Sequence, residues 1–159
     1  MVPRLTIDIT ALDCSISLPI RRLVRSTLIA SAAILLPRVD AEVSVVFLSS
    51  AKMRKLNATH RKKDQATTTL SFSSGAVNLS GSRPKPKGRS RKIQNIHVGE
   101  MFLCLPAIDE FSRLRAMSRS EGLRYILVHS FLHLLGFSHA DRKTELTMDR
   151  KLERVLKEL

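Results

Sequence analysis

Residues 118–135 read as a helix with no face for solvent. Leu123, Ile126, Leu127, Val128, Phe131, Leu132, Leu134 and Leu135 surround its axis, and a helix apolar all round belongs at the centre of a fold. Ser118 and Glu121, three apart, form a capping-box pair at its start. The stretch carries His129 and His133, and His139 follows just beyond Gly136, so it accounts for three of the chain's five histidines. Residues four apart lie one above the other on a helix, which sets two imidazoles side by side on a rigid central element. Glycine suits the left-handed residue that ends a helix, and the chain can then turn back to bring His139 to the same point. Three neutral imidazoles with one open position are the donor set of a catalytic zinc site, not of a closed structural one. The plainer alternative is a core helix that simply buries its histidines. A third histidine just past a glycine stop makes chance packing a poor account of the pattern. The expected ligands are therefore His129, His133 and His139, around one Zn2+.

The spacing H-x3-H-x2-G-x2-H is also that of the metzincin proteases, which place Glu directly after the first His as general base for the attacking water. Here that position is Ser130. A serine hydroxyl takes up no proton near neutral pH without a base of its own, so a zinc protease is disfavoured.

A length of 159 residues suits one domain spanning 1–159, large enough for a real core. Hydrophobic content of 43% is globular, and with no Trp and one Tyr the core must be mostly Leu, Ile, Val and Ala. A formal charge of +13 at this size implies a polyanionic partner, most simply nucleic acid. Cys14 and Cys104 match no disulfide framework and read as buried free thiols in a reducing compartment. The apolar run 26–36 follows Arg21, Arg22 and Arg25 but starts late and is too short for a bilayer. It reads as part of a core helix, in a soluble, cytoplasmic protein without a membrane partner.

Leu5, Ile7 and Ile9 alternate with polar residues as a first strand with one buried face. Pro19 can open a helix through Leu23, Val24, Leu28, Ile34 and Leu35 that stops before Pro37. The β-branched and aromatic run 42–48 reads as a second strand. Ser49 or Ser50 can cap a short helix through Met53, Leu56 and Asn57. Residues 67–72 read as a third strand and 93–105 as a fourth, with a bulge or bend at Gly99-Glu100 and a stop at Pro106. A last helix shows the apolar stripe Met148, Leu152, Val155, Leu156 and Leu159, with a packing role only.

Between the third and fourth strands, residues 75–92 are rich in Pro, Gly, Ser and basic side chains, with no acid from Gly81 to Lys92. The composition is that of a mobile surface loop. It is either a plain linker or a basic arm that touches phosphates.

Three stretches, in order along nearly the whole chain, resemble motifs of the YbeY family of bacterial and organellar endoribonucleases, which act in ribosomal RNA maturation. Leu56-Asn57-x-x-His60-Arg61-x-Lys63-Asp64-x-x-Thr67-x-x-Leu70-Ser71-Phe72 is similar to L-N-x-x-Y-R-x-K-D-x-P-T-D-V-L-S-F. His97-Val98-Gly99-Glu100-Met101-Phe102-Leu103 is similar to the strand L-G-D-I-x-I. His129-x-x-Leu132-His133-Leu134-x-Gly136-Phe137-x-His139 is similar to H-G-x-L-H-L-x-G-Y-D-H. The resemblance implies an α+β fold, a four-stranded mixed sheet packed with about five helices, and a metal site in a cleft. It implies zinc on His129, His133 and His139 and a functional arginine at Arg61 across the cleft. It also implies single-stranded RNA as substrate, with ribosomal RNA and the small ribosomal subunit as partners.

The chain departs from those motifs at Ser130, Ser138, Ala66 and Thr67-Thr68-Thr69, where the family has Gly, Asp, Pro and T-D-V. Two acids are lost near a site whose histidines usually lean on carboxylates or carbonyls. A ribosomal-RNA-binding assembly factor with a vestigial metal site is therefore the alternative to the nuclease. In the nuclease, Arg61 would hold the phosphate and offset its charge. Lys52, Arg54, Lys55, Lys62 and Lys63 would hold the RNA backbone without reading bases. Few aromatics are present to stack bases, which predicts weak sequence preference.

Overall fold

The computed structural model describes residues 4–37, 39–80 and 95–159. These form β1 (Leu5–Leu12), α1 (Leu18–Leu35), β2 (Ala41–Leu48), α2 (Ser50–Arg61), β3 (Thr69–Ser73), β4 (Ile96–Leu103), α3 (Leu105–Leu114), α4 (Arg119–Leu134) and α5 (Arg142–Lys157). The sheet order is β1-β2-β4-β3. β1 and β4 run parallel to β2, and the short edge strand β3 runs antiparallel to β4. This is the expected α+β architecture with a four-stranded mixed sheet.

Period-2 alternation divides the core. Val43, Val45 and Phe47 face one side of β2 and join Val98, Met101 and Leu103 under α1, α3, α4 and α5. Val46 and Leu48 face the other side, where Met53 and Leu56 of α2 pack with Leu70, Phe72 and Phe102. α4 is the axis of the larger cluster. Leu123, Leu127, Phe131, Leu132 and Leu134 have no exposure, and each fully buried side chain of this size contributes roughly 1.5–3 kcal/mol. The Ser118–Glu121 capping box forms in both directions, at 2.7 and 3.2 Å.

Several boundaries follow the sequence. Pro19 lies in the first turn of α1, and Ser49 caps α2 by accepting from the Lys52 amide at 3.4 Å. The β4 register skips Val98 opposite Glu42 and Val43, which is the anticipated bulge. Gly99 sits there with φ +136, and a Cβ would lie 2.2 Å from the Phe72 carbonyl oxygen, so no side chain fits.

Other features differ. β1 runs on to Leu12 because Ala11 and Leu12 pair with Phe47 and Leu48. β3 begins at Thr69, leaving Thr67 and Thr68 in the link before it. Pro106 does more than end β4. It occupies the first turn of α3, an amphipathic helix burying Ile108 and Ser112. Cys104 is buried but Cys14 is exposed, because the turn after β1 carries it away from both clusters. Residues 75–80 dock on the end of α4, where the Leu79 amide donates to the Leu135 carbonyl at 2.8 Å. The basic stretch 81–92 and the expected strand start at Ile93 lie outside the described residues. No described helix is long and apolar enough to cross a membrane.

Candidate metal centre

α4 presents two ligands on one face. His129 and His133 are one turn apart, with their Nε2 atoms 3.1 Å from each other. The helix then closes in a Schellman turn: the Phe137 amide donates to the Leu132 carbonyl at 3.1 Å and the Gly136 amide to the His133 carbonyl at 3.0 Å. Gly136 takes φ +92, and a Cβ there would stand 2.7 Å from Asn78 Oδ1. This turn returns His139 to the helix, with its ring centroid 5.3 Å from those of His129 and His133. One ring nitrogen from each of the three lies within 4.8 Å of the others.

The donor set fits a divalent ion. Two nitrogens bonded to one zinc at 2.0–2.1 Å and a tetrahedral angle sit about 3.3 Å apart, close to the separation of the His129 and His133 Nε2 atoms. His133 Nδ1 donates to the Phe137 carbonyl at 2.9 Å, which leaves its Nε2 lone pair facing the triad. A backbone carbonyl thus orients this ligand. Burial pushes His129 down from 6.5 to about 4, helped by the charges of His133, His139 and Arg61. Burial also lowers His133, against the opposing pull of the Phe137 carbonyl. Both rings are therefore neutral at pH 7, the form that binds metal. His129, His133 and His139 can hold a metal ion.

The triad lines a cleft of about 510 Å3. Arg61, the last residue of α2, lines it too, with Thr67, Thr68, Thr69 and Ser71 from β3 and the link before it. Lys62 follows Arg61 in the left-handed conformation and ends α2. Asn57 Nδ2 then donates to the Gln65 carbonyl at 2.7 Å, which anchors the link that carries the threonines. Among the described residues Arg61 makes no ion pair.

The other five cations expected to hold RNA are exposed on α2 and just beyond, and none lines the cleft. Lys52 pairs with Asp13 at 3.0 Å, and Arg54 grips both oxygens of Asp64 at 2.7 and 2.6 Å. The Lys62 ammonium donates to the Thr59 carbonyl at 3.2 Å.

Three further lining residues went unremarked in the sequence: Phe111, Arg115 and Tyr125. Tyr125 was legible, since it sits one helical turn before His129. Phe111 and Arg115 belong to α3 and its C-cap, hidden because Pro106 suits a strand end as well as a helix start. Phe111 and Tyr125 lie with centroids 5.5 Å apart, Tyr125 is nearly parallel to His129 at 6.2 Å, and the Arg115 guanidinium carbon is 4.0 Å above the Phe111 ring.

The sequence profile of the family described as Endoribonuclease YbeY matches residues 7–159. A relative of that name from Finegoldia magna is 31% identical over 118 residues, 74% of this chain and 69% of its own. Another, from Halalkalibacterium halodurans, is 31% identical over 115 residues, 72% of this chain and 70% of its own. The solution structure of TM1509 from Thermotoga maritima shares the fold, with a TM-score of 0.57, 96% of this chain and 91% of that one covered, at 19% identity. The matched span runs from β1 through α2 to the three histidines and α5, and the chain belongs to the endoribonuclease YbeY family.

Proposed function

We propose that this chain, as one domain, is a zinc-dependent endoribonuclease that cuts single-stranded RNA during ribosomal RNA maturation. The observation that carries the proposal is the meeting of Arg61 with three imidazoles in one cleft, in a chain of the YbeY family. When bound, zinc lowers the pKa of a coordinated water toward about 7 and polarises a phosphoryl oxygen. His129, His133 and His139 would hold it, with Phe137 fixing the His133 tautomer through its carbonyl.

Arg61 does the work opposite. Its planar fork takes two non-bridging phosphate oxygens and offsets the charge that grows on them as hydroxide or the ribose 2′-OH attacks phosphorus. Lys52, Arg54, Lys55, Lys62 and Lys63, with a chain charge of +13, supply sequence-independent attraction to the backbone. The proposed partner is the small ribosomal subunit, and the proposed place of action is the cytoplasm.

The test assays wild type, His133→Ala and Arg61→Ala on single-stranded and duplex RNA, with bound metal quantified. Wild type and Arg61→Ala should carry about one zinc per chain, and His133→Ala little. Cleavage should fall roughly 100-fold or more in both variants, the usual loss when one preorganised charge-stabilising group is removed. Equal cleavage by all three would mean a contaminating nuclease and end the proposal. Salt-sensitive binding without cleavage would make the chain an assembly factor, and peptide hydrolysis would make it a protease.

A further inference from the structure

We propose that Phe111, Tyr125 and Arg115 form a subsite for one unpaired nucleobase beside the metal centre, an inference that rests on the nuclease reading above. The chain has six Phe, one Tyr and no Trp, so the placement of each aromatic matters more than their number. The single tyrosine and one phenylalanine line the same cleft as Arg61 and the triad. They form a row: Arg115 lies over Phe111, Phe111 leans at 35° on Tyr125, and Tyr125 runs within 13° of parallel to His129. The row leads from open solvent to a metal ligand.

Packing alone does not explain this row. Phe111 and Tyr125 are only half-buried, and Arg115 is exposed. The neighbouring arginines are held by acids, Arg113 by Glu110 and Arg119 by Asp109. Arg115 has no acidic partner among the described residues and rests on a ring instead.

The two walls of the cleft differ in chemistry. One offers Arg61 with Thr67 and Thr68, suited to phosphate and ribose. The other offers the rings of Phe111 and Tyr125 with the exposed Arg115 guanidinium laid on Phe111, and on the outer side of that plane any base can stack. A nucleotide laid across the cleft therefore puts its phosphate toward Arg61 and the triad and its base on the Arg115–Phe111–Tyr125 wall. A base still stacked in a duplex cannot reach that wall, so the subsite selects single strands while tolerating any sequence.

The experiment uses short single-stranded RNAs with 2-aminopurine, or an abasic ribose, at each position in turn. Binding and cleavage are measured for zinc-loaded wild type, Tyr125→Leu, Tyr125→Phe, Arg115→Ala and Arg115→Lys. Wild type should quench 2-aminopurine at one position and lose about tenfold in KM when that position is abasic, the scale of one lost stacking contact. Tyr125→Leu and Arg115→Ala should bind ordinary RNA about tenfold more weakly and no longer distinguish the abasic strand. Tyr125→Phe keeps the ring and should match wild type. Arg115→Lys keeps the charge without the plane and should not rescue.

Equal weakening toward abasic and normal RNA, full rescue by Arg115→Lys, or no position-specific quenching would overturn the subsite. Because Arg115 is exposed, its variants fold and keep the test decisive even if Tyr125→Leu does not. Cleavage intact without these base effects removes the subsite alone. Position-specific quenching without cleavage keeps the subsite and removes the nuclease.

Discussion

Thr69 Oγ1 and Ser130 Oγ share a hydrogen bond of 2.9 Å across the seam between β3 and α4. Ser130 is fully buried and follows His129 directly. The position where a metzincin would carry its glutamate thus holds a hydroxyl bound to the edge strand. In the similar YbeY motif these two positions are Val and Gly, so here both have become hydroxyl-bearing, and each satisfies the other.

Breaking that pair should destabilise the protein through the orphan it leaves. Thr69→Val and Ser130→Ala each strand one buried hydroxyl, at a cost of about 1–3 kcal/mol. The double variant removes both groups, so its loss should fall short of the sum by about 1 kcal/mol. Urea denaturation of the four proteins reads the coupling, and strict additivity would show that the bond contributes nothing.

Gly136→Ala should damage fold and site together. The residue takes φ +92 and its Cβ would press on Asn78 Oδ1 at 2.7 Å. Left-handed strain and overpacking together predict a loss of about 1–3 kcal/mol. The same turn presents His139, so zinc affinity measured against a chromophoric chelator should drop as well.

His139→Ala should separate the two effects. His139 is exposed, so the melting temperature in EDTA should match wild type. The rise in melting temperature that added zinc produces by binding only the folded state should shrink sharply. An undiminished rise would remove His139 from the ligand set.

Acid should weaken the metal-free fold through His129. Burial first, then neighbouring positive charge, lowers its folded value from 6.5 to about 4. The unfolded chain therefore takes up the proton first as pH falls. This contribution to stability is complete above about 6.5 and drains away as the pH drops through about 4. NMR titration of the imidazole protons in EDTA should find His129 neutral at pH 5.5, and a midpoint near 6.5 would contradict its burial.

The centre of the fold was legible because α4 carries every local signal in agreement: the Ser118 cap, the unbroken apolar surface and the Gly136 stop. The three histidines followed from that geometry, since spacing along one helix and one turn is a local property. What escaped the sequence was either ambiguous or long-range. Pro106 suits a strand end and a helix start equally, and choosing the former hid α3 with Phe111 and Arg115. The Thr69–Ser130 bond joins residues 61 apart and depends on how β3 lies against α4, which no local pattern reveals. Counting the α2 cations showed none of the acids, Asp13 and Asp64, that engage Lys52 and Arg54.

Arg61 and the imidazoles are mounted on different layers. α2 rests on the small cluster around Met53 and Leu70, whereas α4 is embedded in the large cluster on the opposite side of the sheet. The space between guanidinium and histidines is consequently bridged by the short edge strand and the link that precedes it. Trimming Met53 or Leu70 should shift that gap and change RNA turnover in a cleavage assay while leaving ion affinity alone.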